Sequence, residues 1–334
     1  MARKRILSGM RPTGPLHIGH LVGALSNWKD LQDEYECYYM VADWHALMSE
    51  YASPGDIPKH CIDNVADWLA CGIDPEKSTI FVQSDVPEHT ELHVILSCIT
   101  PIPWLERVPT YKEQLQEIKD KDLTNYAFLG YPVLQASDIL IYKASVVPVG
   151  EDQVAHLELT REITRRFNTM YGEVFPEPKP KLTRTARLLG LDRRKMSKSY
   201  DNFIALGESP EQTTKKVLSM FTDPQRQRRT DPGRPEVCNV HDYYRVFTPD
   251  RTEAVAEACR KAEIGCVDCK KELAERLNQY LEPIRTRRNE LLSHPDRIEA
   301  ILSEGCKKAR RVAAATLNEA REAMGIGKSR VVVD

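Results

Sequence analysis

Through its first half the chain alternates short apolar runs with apolar residues at helical spacing. The first run, Ile6-Leu7, passes into a turn rich in glycine and proline, Gly9-Met10-Arg11-Pro12-Thr13-Gly14-Pro15. From Leu21 onward, Leu25, Trp28 and Leu31 recur on one helical face, so the pattern predicts strand, loop and helix start. Cys37-Tyr38-Tyr39-Met40-Val41-Ala42-Asp43 is a continuous apolar run, as expected of a parallel strand buried on both faces. A helix over 59–71, stopped by Gly72, and a third strand over 79–83 follow. This alternation implies an α/β fold with a right-handed parallel sheet.

The rhythm breaks over 91–121, where Pro101, Pro103 and Pro109 punctuate helical sequence; the stretch reads as an insertion between two halves of the sheet. In Gly130–Tyr142 the residues Tyr131, Gln135 and Asp138 recur at helical spacing in an apolar setting. A strand over 146–149 follows, and Gly150-Glu151-Asp152-Gln153 opens a helix over 154–167. Beyond residue 204 the sequence is charged, helix-rich and free of strand patterns, so the expected domains are 1–204, with the insertion at about 88–142, and 205–334. No internal repeat is present, and 325–334 reads as a loose tail.

With 334 residues, 41% hydrophobic and 29% charged, the chain can hold two domains of ordinary soluble composition. The net charge of -2 means that a nucleic-acid partner must be met by local basic patches. Three are candidates: Arg226, Arg228, Arg229 and Arg234; Arg285, Arg287 and Arg288; and Lys307, Lys308, Arg310 and Arg311. Each also reads as a solvated face, but together they fit a phosphate-backbone footprint better. No apolar stretch reaches membrane-spanning length and the basic N-terminus lacks a secretory apolar region, so no membrane partner and a cytoplasmic location are expected.

The candidate chemistry begins at His17 and His20, three apart at the first helix start, where backbone N–H groups and the helix dipole favour a phosphate. By themselves they read more readily as caps that face water. Lys195-Met196-Ser197-Lys198-Ser199, in a polar segment opened by Gly190, places two ammonium groups within reach of one pyrophosphate. His45 follows a strand at its C-terminal edge, where ligands collect in open α/β sheets, though a satisfied core histidine fits as well. Asp138 among apolar neighbours is costly unless paired. Glu151 and Asp152 suit the helix dipole and could equally accept hydrogen bonds from a ribose. Of nine cysteines, Cys238, Cys259, Cys266 and Cys269 cluster with spacers of 20, 6 and 2 residues. Four such thiols suit a structural zinc or an iron–sulfur cluster.

The histidine turn and the lysine segment, in this order and a domain's length apart, resemble the paired signatures of class I aminoacyl-tRNA synthetases. Essentially the whole chain resembles the bacterial-type tryptophanyl-tRNA synthetases. The residues that carry this are Ser8-Gly9-Met10-Arg11-Pro12-Thr13-Gly14, Asp43-Trp44-His45-Ala46, Tyr131-Pro132-Val133-Leu134-Gln135, Gly150-Glu151-Asp152-Gln153 with His156-Leu157-Glu158-Leu159-Thr160-Arg161, and Lys195 to Ser199. Tyrosyl enzymes, the nearest relatives, carry Ser-Asp-Gln-Trp where this chain has Glu151-Asp152-Gln153-Val154, so tryptophan ranks first and tyrosine second. An inactive RNA-binding paralogue is the rival from another class.

The resemblance implies a Rossmann-type parallel sheet with a connecting insertion, often used for dimer contact, followed by an α-helical anticodon-binding domain. It implies activation of L-tryptophan by ATP with Mg²⁺, transfer to tRNA(Trp), and a homodimer. It puts Asp138 against the indole N–H, with Leu7, His45, Tyr131, Gln135 and Gln153 around the amino acid. His17, His20, Lys195 and Lys198, with Lys112 as a weaker candidate, would stabilise charge on the phosphates. Met10, Arg11, Pro12, Thr13, Gly19, Gly150, Glu151, Asp152, Met196, Ser197 and Ser199 would join His20, Lys195 and Lys198 in holding the nucleotide. A subset of the family carries a similar cysteine arrangement and binds a [4Fe–4S] cluster, which ranks that cluster ahead of zinc here.

Overall fold

In the computed structural model residues 3–117, 123–150, 153–182 and 188–327 are described. Five parallel strands form one sheet in the order β3-β2-β1-β4-β5: β1 (Arg5–Met10), β2 (Glu36–Val41), β3 (Ser78–Val82), β4 (Val146–Val149) and β5 (Lys179–Leu182). The register pairs Arg5 with Glu36 and Met10 with Val41, so β1 and β2 end level at their carboxyl ends. β5 has no counterpart in the apolar pattern. Its residues, Lys179-Pro180-Lys181-Leu182, are largely exposed at the sheet edge, where lysine and proline discourage further pairing.

The first helical stretch is a single path with a wide middle: α1 (Ile18–His20), a π-helical turn at Leu21–Leu25, and α2 (Ser26–Leu31). The Ser26 hydroxyl donates to the Leu21 carbonyl at 2.7 Å within that widened stretch. Then come α3 (Asp43–Glu50), which begins where the apolar run of β2 runs out, and α4 (Ile57–Ala70). The stretch between β3 and β4 is helical, with α5 (Glu88–Ser97), α6 (Ile102–Glu106), α7 (Pro109–Glu117) and α8 (Tyr126–Ile141); α9 (Val154–Tyr171) leads from β4 to β5. After residue 205 the regular elements described are helical: α10 (Pro210–Ser219), α11 (Asn239–Phe247), α12 (Thr252–Arg260), α13 (Cys266–Leu292) and α14 (Pro295–Met324).

Side chains alternate across the strands and so feed two cores, one on each side of the sheet. Ile6 and Tyr39 join Trp28 and Trp68, with Trp28 stacked on Tyr39 at 4.4 Å between ring centroids. Leu7, Tyr38 and Phe81 face the other way, among Leu140, Tyr142 and Phe167. Both cores cross residue 205. Leu273, Leu277 and Leu281 of α13 belong to the first, and Ala309, Ala313 and Leu317 of α14 to the second. α14 also gives Ile298 and Leu302 to the first core, so it passes over the open edge at β3. Gly305 sits at that crossing: a Cβ there would lie 1.7 Å from the Ile80 carbonyl oxygen.

Candidate active site

In an open parallel sheet the connections on either side of the strand-order reversal leave a crevice at the carboxyl ends. Here that point lies between β1 and β4, and a cavity of about 320 Å³ opens there. Leu7 of β1, His45 of α3, Tyr131, Gln135 and Asp138 of α8, and Gln153 just before α9 all line it. These are the six residues expected around the amino acid, drawn from four separate stretches of the chain.

Asp138 is 2% exposed. Its Oδ2 accepts from His45 Nε2 at 2.7 Å, and its Oδ1 accepts from His89 Nδ1 at 2.7 Å and Gln83 Nε2 at 2.8 Å. Burial alone would raise its pKa; the charges and N–H donors of His45 and His89 outweigh that and hold the carboxyl below its ordinary range. A carboxylate oxygen accepts about two hydrogen bonds. Among the described residues Oδ1 has its two, whereas Oδ2 has one from a side chain. His89 is pinned in turn, with Nε2 paired to the Tyr142 hydroxyl at 2.7 Å and its carbonyl accepting from the Ser137 hydroxyl at 2.6 Å. Beside Asp138, the Tyr131 hydroxyl pairs with His156 Nε2 at 2.7 Å and Gln135 Nε2 donates to Gln153 Oε1 at 3.4 Å.

The histidine turn is the second part. The rings of His17 and His20 lie 3.8 Å apart between centroids, and the His17 backbone N–H donates to His20 Nδ1 at 3.1 Å. Burial first and Lys198 second lower the His17 pKa to about 4, and burial and His17 hold His20 well below its ordinary value. Both imidazoles are therefore neutral near pH 7, and His20 keeps its proton on Nε2. The lysine segment folds over this turn. Lys198 Nζ stands 3.4 Å from where a Cβ of Gly14 would be, at a positive φ of 132° that glycine permits. Met196 is buried with its sulfur 3.1 Å from a Cβ built on Gly19. Burial, then Arg11, lower the Lys198 ammonium to about 8. Arg11 also lines the cavity and so joins the two parts of the site. Lys195 is exposed, and Ser197 donates its N–H to Asn202 Oδ1 at 2.9 Å.

The sequence matches the family of tRNA synthetases class I (W and Y) over residues 2–282. It is 55% identical over 325 residues to the tryptophan–tRNA ligase of Thermotoga maritima, an alignment covering 96% of this chain and 99% of that one. The chain belongs to the class I tryptophanyl-tRNA synthetases, the tryptophan–tRNA ligases. The tryptophan–tRNA ligase of Aquifex aeolicus is 42% identical over 393 residues, covering 96% of this chain and 100% of that one. The crystal structure of tryptophanyl-tRNA synthetase from Campylobacter jejuni complexed with ADP and tryptophan superposes with a TM-score of 0.88 at 34% identity, covering 96% of this chain and 100% of that one.

Not every expected site residue of this synthetase is found lining the cavity. Lys112 is exposed on α7 and is not among the lining residues, although Thr110 two residues earlier is. Glu151, Asp152 and the Ser199 side chain lie outside the described residues. His89 and Gln83 went unnoticed in the sequence, yet both are fully buried against Asp138. The available signal was a polar residue directly after the apolar β3, the position that meets a ligand crevice in a parallel sheet.

The basic patches are only partly available, because Arg285 and Arg288 turn inward and others are ion-paired at the surface. Arg285 is buried and donates to Asn278 Oδ1 and Thr213 Oγ1; Arg288 is held by Asp67 at 2.6 Å and Asp63 at 3.6 Å. Arg234 is paired to Asp223, Arg310 to Glu88, and Arg226 donates to the Ile264 carbonyl. Arg228, Arg229, Arg287, Lys307 and Arg311 are exposed.

Cys238 stands at the N-cap of α11, Cys259 lies in α12, and Cys266 and Cys269 open α13; all four are half-buried and unbridged. Burial, then Cys238, push the Cys269 thiol up to about 12, and each of the four is within electrostatic reach of the other three. Arg226 Nη1 donates to the Cys259 sulfur at 3.5 Å. Among the described residues, no group of three or more His, Cys, Asp or Glu side chains is arranged to hold a metal ion.

Proposed function

We propose that this synthetase activates L-tryptophan in the cavity between β1 and β4, and that Asp138 selects the amino acid. The observation that carries the reading is the Asp138 carboxylate, charged, buried and facing the cavity with acceptor capacity left on Oδ2. Indole nitrogen is a donor only, so tryptophan satisfies that oxygen. Phenylalanine would leave it buried and short of a partner, the kind of mismatch that gives discrimination of roughly ten-thousand-fold. Leu7, His45, Tyr131, Gln135 and Gln153 complete the pocket or hold the α-amino and carboxylate groups.

In the first step a tryptophan carboxylate oxygen bonds to the α-phosphorus of MgATP while the bond from that phosphorus to the bridging oxygen breaks, and pyrophosphate leaves with the electron pair. A carboxylate is already ionised near pH 7, so the site acts by position and by stabilising charge. His17 and His20 serve as neutral N–H donors and Lys195 and Lys198 as cations, with Lys112 a weaker contributor. Met10 to Thr13, Gly19, Gly150 to Asp152 and Met196 to Ser199 hold the nucleotide. In the second step the terminal ribose hydroxyl of tRNA(Trp) attacks the carbonyl carbon and AMP departs.

The finer reading extends to the rest of the chain. Residues 205–334 serve as the helical anticodon-binding domain; the change of element type after the lysine segment supports this. Cys238, Cys259, Cys266 and Cys269 would hold a [4Fe–4S] cluster, with zinc as the alternative; their spacing in the sequence and their positions at the N-cap of α11, the end of α12 and the start of α13 support a four-sulfur site. A bound group would tie α11, α12 and α13 together. Exposed Val94, Ile102 and Tyr126 support a homodimer formed through the 88–142 insertion. The free cysteines support a reducing, cytoplasmic location, and no described helix is long and apolar enough to cross a membrane.

The test is pyrophosphate exchange into ATP, driven separately by tryptophan and by tyrosine, on protein purified without oxygen. Exchange with tryptophan alone is expected, and it should be lost in Asp138→Ala. Exchange with tyrosine would overturn the pocket assignment. Iron, sulfide and zinc contents of the same preparation decide the occupant of the cysteine site.

A further inference from the structure

The lysine segment is held at two ends, and only one hold belongs to the nucleotide turn. At its exit, Ile18 N–H donates to the Ile204 carbonyl at 3.0 Å and Leu206 N–H to the Leu16 carbonyl at 2.9 Å. Internally the buried Asn202 organises it. Its Oδ1 accepts from Ser197 N–H at 2.9 Å, and its Nδ2 donates to the Lys195 carbonyl at 3.1 Å and Asp192 Oδ1 at 2.7 Å. Leu191 N–H donates to the Asn202 carbonyl at 2.8 Å, and a Cβ on Gly190 would lie 2.3 Å from Asn202 Nδ2, so entry and exit are packed against each other.

At its entry the partners come from the helical region. Asn239 Nδ2 donates to the Gly190 carbonyl at 2.8 Å and the Tyr243 hydroxyl donates to the Leu189 carbonyl at 2.9 Å. They are four residues apart on α11, hence on one face, and both are fully buried. Phe221 N–H adds a bond to the Leu191 carbonyl at 2.9 Å, and Arg193 donates to the Val237 carbonyl. Backbone carbonyls of Leu189, Gly190 and Leu191 thus take donors from residues 221–243, about thirty or more positions further along.

We propose that α11 sets the position of the lysine segment, with Asn239 and Tyr243 as positioning residues for the charges that Lys195 and Lys198 bring to ATP. The proposal rests on the reading that these lysines meet the phosphates. A side chain that acts by placing another group has a specific kinetic signature. Loosening the entry moves the ammonium groups without touching the tryptophan pocket, so ATP handling suffers alone. A displacement on the order of 1 Å is enough to cost roughly a hundredfold in rate. Cys238 caps the same helix, so one of the four clustered cysteines stands next to the residue that holds the lysine segment.

The experiment uses the full-length chain with Asn239→Ala, and with Tyr243→Phe, which removes only the hydroxyl and is the variant of choice if the first fails to fold. In pyrophosphate exchange, the ATP KM is expected to rise and kcat to fall by roughly tenfold or more, with the tryptophan KM within about twofold of wild type. In a Lys198→Ala background the same substitutions should add little, since both changes act on one group. Amide hydrogen exchange at Leu191 and Ser197 should quicken in both variants. Unchanged exchange at these amides would overturn the brace. Equal losses in the ATP and tryptophan parameters, or full additivity with Lys198→Ala, would reduce α11 to general stability and overturn the proposal. If Lys198→Ala itself leaves ATP use unchanged, the phosphate reading of the lysines falls, and amide exchange still judges the brace.

Discussion

Lys198 is a cation held where a cation is uncomfortable: it is half-buried, faces Arg11, and lies over the turn at Gly14, whose positive φ favours glycine. A bound triphosphate would relieve that discomfort. In free enzyme the ammonium titrates at about 8. The expected result is that kcat/KM for ATP falls as pH rises through about 8, whereas in kcat the alkaline limb moves to higher pH, because the bound phosphates favour the charged form. Lys198→Arg should remove the limb, since a guanidinium stays charged. The stability effect runs oppositely. The folded value lies below the ordinary 10.5, so the unfolded chain holds more protons between the two, and the contribution of this group to stability increases as pH rises across that window. At Asp138 the logic is reversed. The carboxylate stays charged despite burial because His45, His89 and Gln83 all donate to it.

Helix α14 illustrates an element whose role is set by what it covers. Its first turns pack with the core around Trp28 and its later turns with the core around Tyr142, so it spans the edge that β3 would otherwise leave open. Close approach at the crossing requires Gly305. Gly305→Ala is expected to lower stability by about 1–3 kcal/mol through overpacking against the Ile80 carbonyl, read as a reduced Tm, with the KM values for ATP and tryptophan unchanged at low temperature. An unchanged Tm would mean that the strand edge yields at this point.

For the whole molecule, the decisive contact is Arg288 of α13 with Asp67 and Asp63 of α4, beside the close-packed Gly207. Burial pushes the Asp67 carboxyl up even with Arg288 against it. Arg288→Met would leave that carboxylate buried without its cation, at a cost of about 3–5 kcal/mol, and Asp67→Asn in the same chain should recover much of it. The folded pKa of the stranded acid lies above its unfolded value. The single variant should therefore gain stability as pH is lowered from above the folded pKa toward the unfolded one. Denaturant unfolding of wild type, Arg288→Met and the double variant at two pH values reads both effects. Through this pair, residues after 205 and the sheet share one core, and the region expected to meet tRNA is packed against the catalytic layer.

The parallel sheet was legible because strands buried on both faces must be apolar throughout, as Cys37 to Val41 and Val146 to Val149 are. The histidine turn, the lysine segment and Asp138 stood out by local setting, as two histidines at a helix start, two lysines in a polar segment and an acid among apolar neighbours, while their proposed phosphate and indole roles rest on the family resemblance. β5 was not, since an exposed edge strand needs no apolar run. Nor were the partners of Asp138, the inward turn of Arg285 and Arg288, or the hold of Asn239 on Gly190, which join positions 49 to 221 residues apart. Local sequence determined which chemistry the chain carries and which segments are strand or helix. Tertiary structure alone decided which charges are spent inside and which remain for substrates, because that depends on what each side chain meets once distant segments pack and water is excluded.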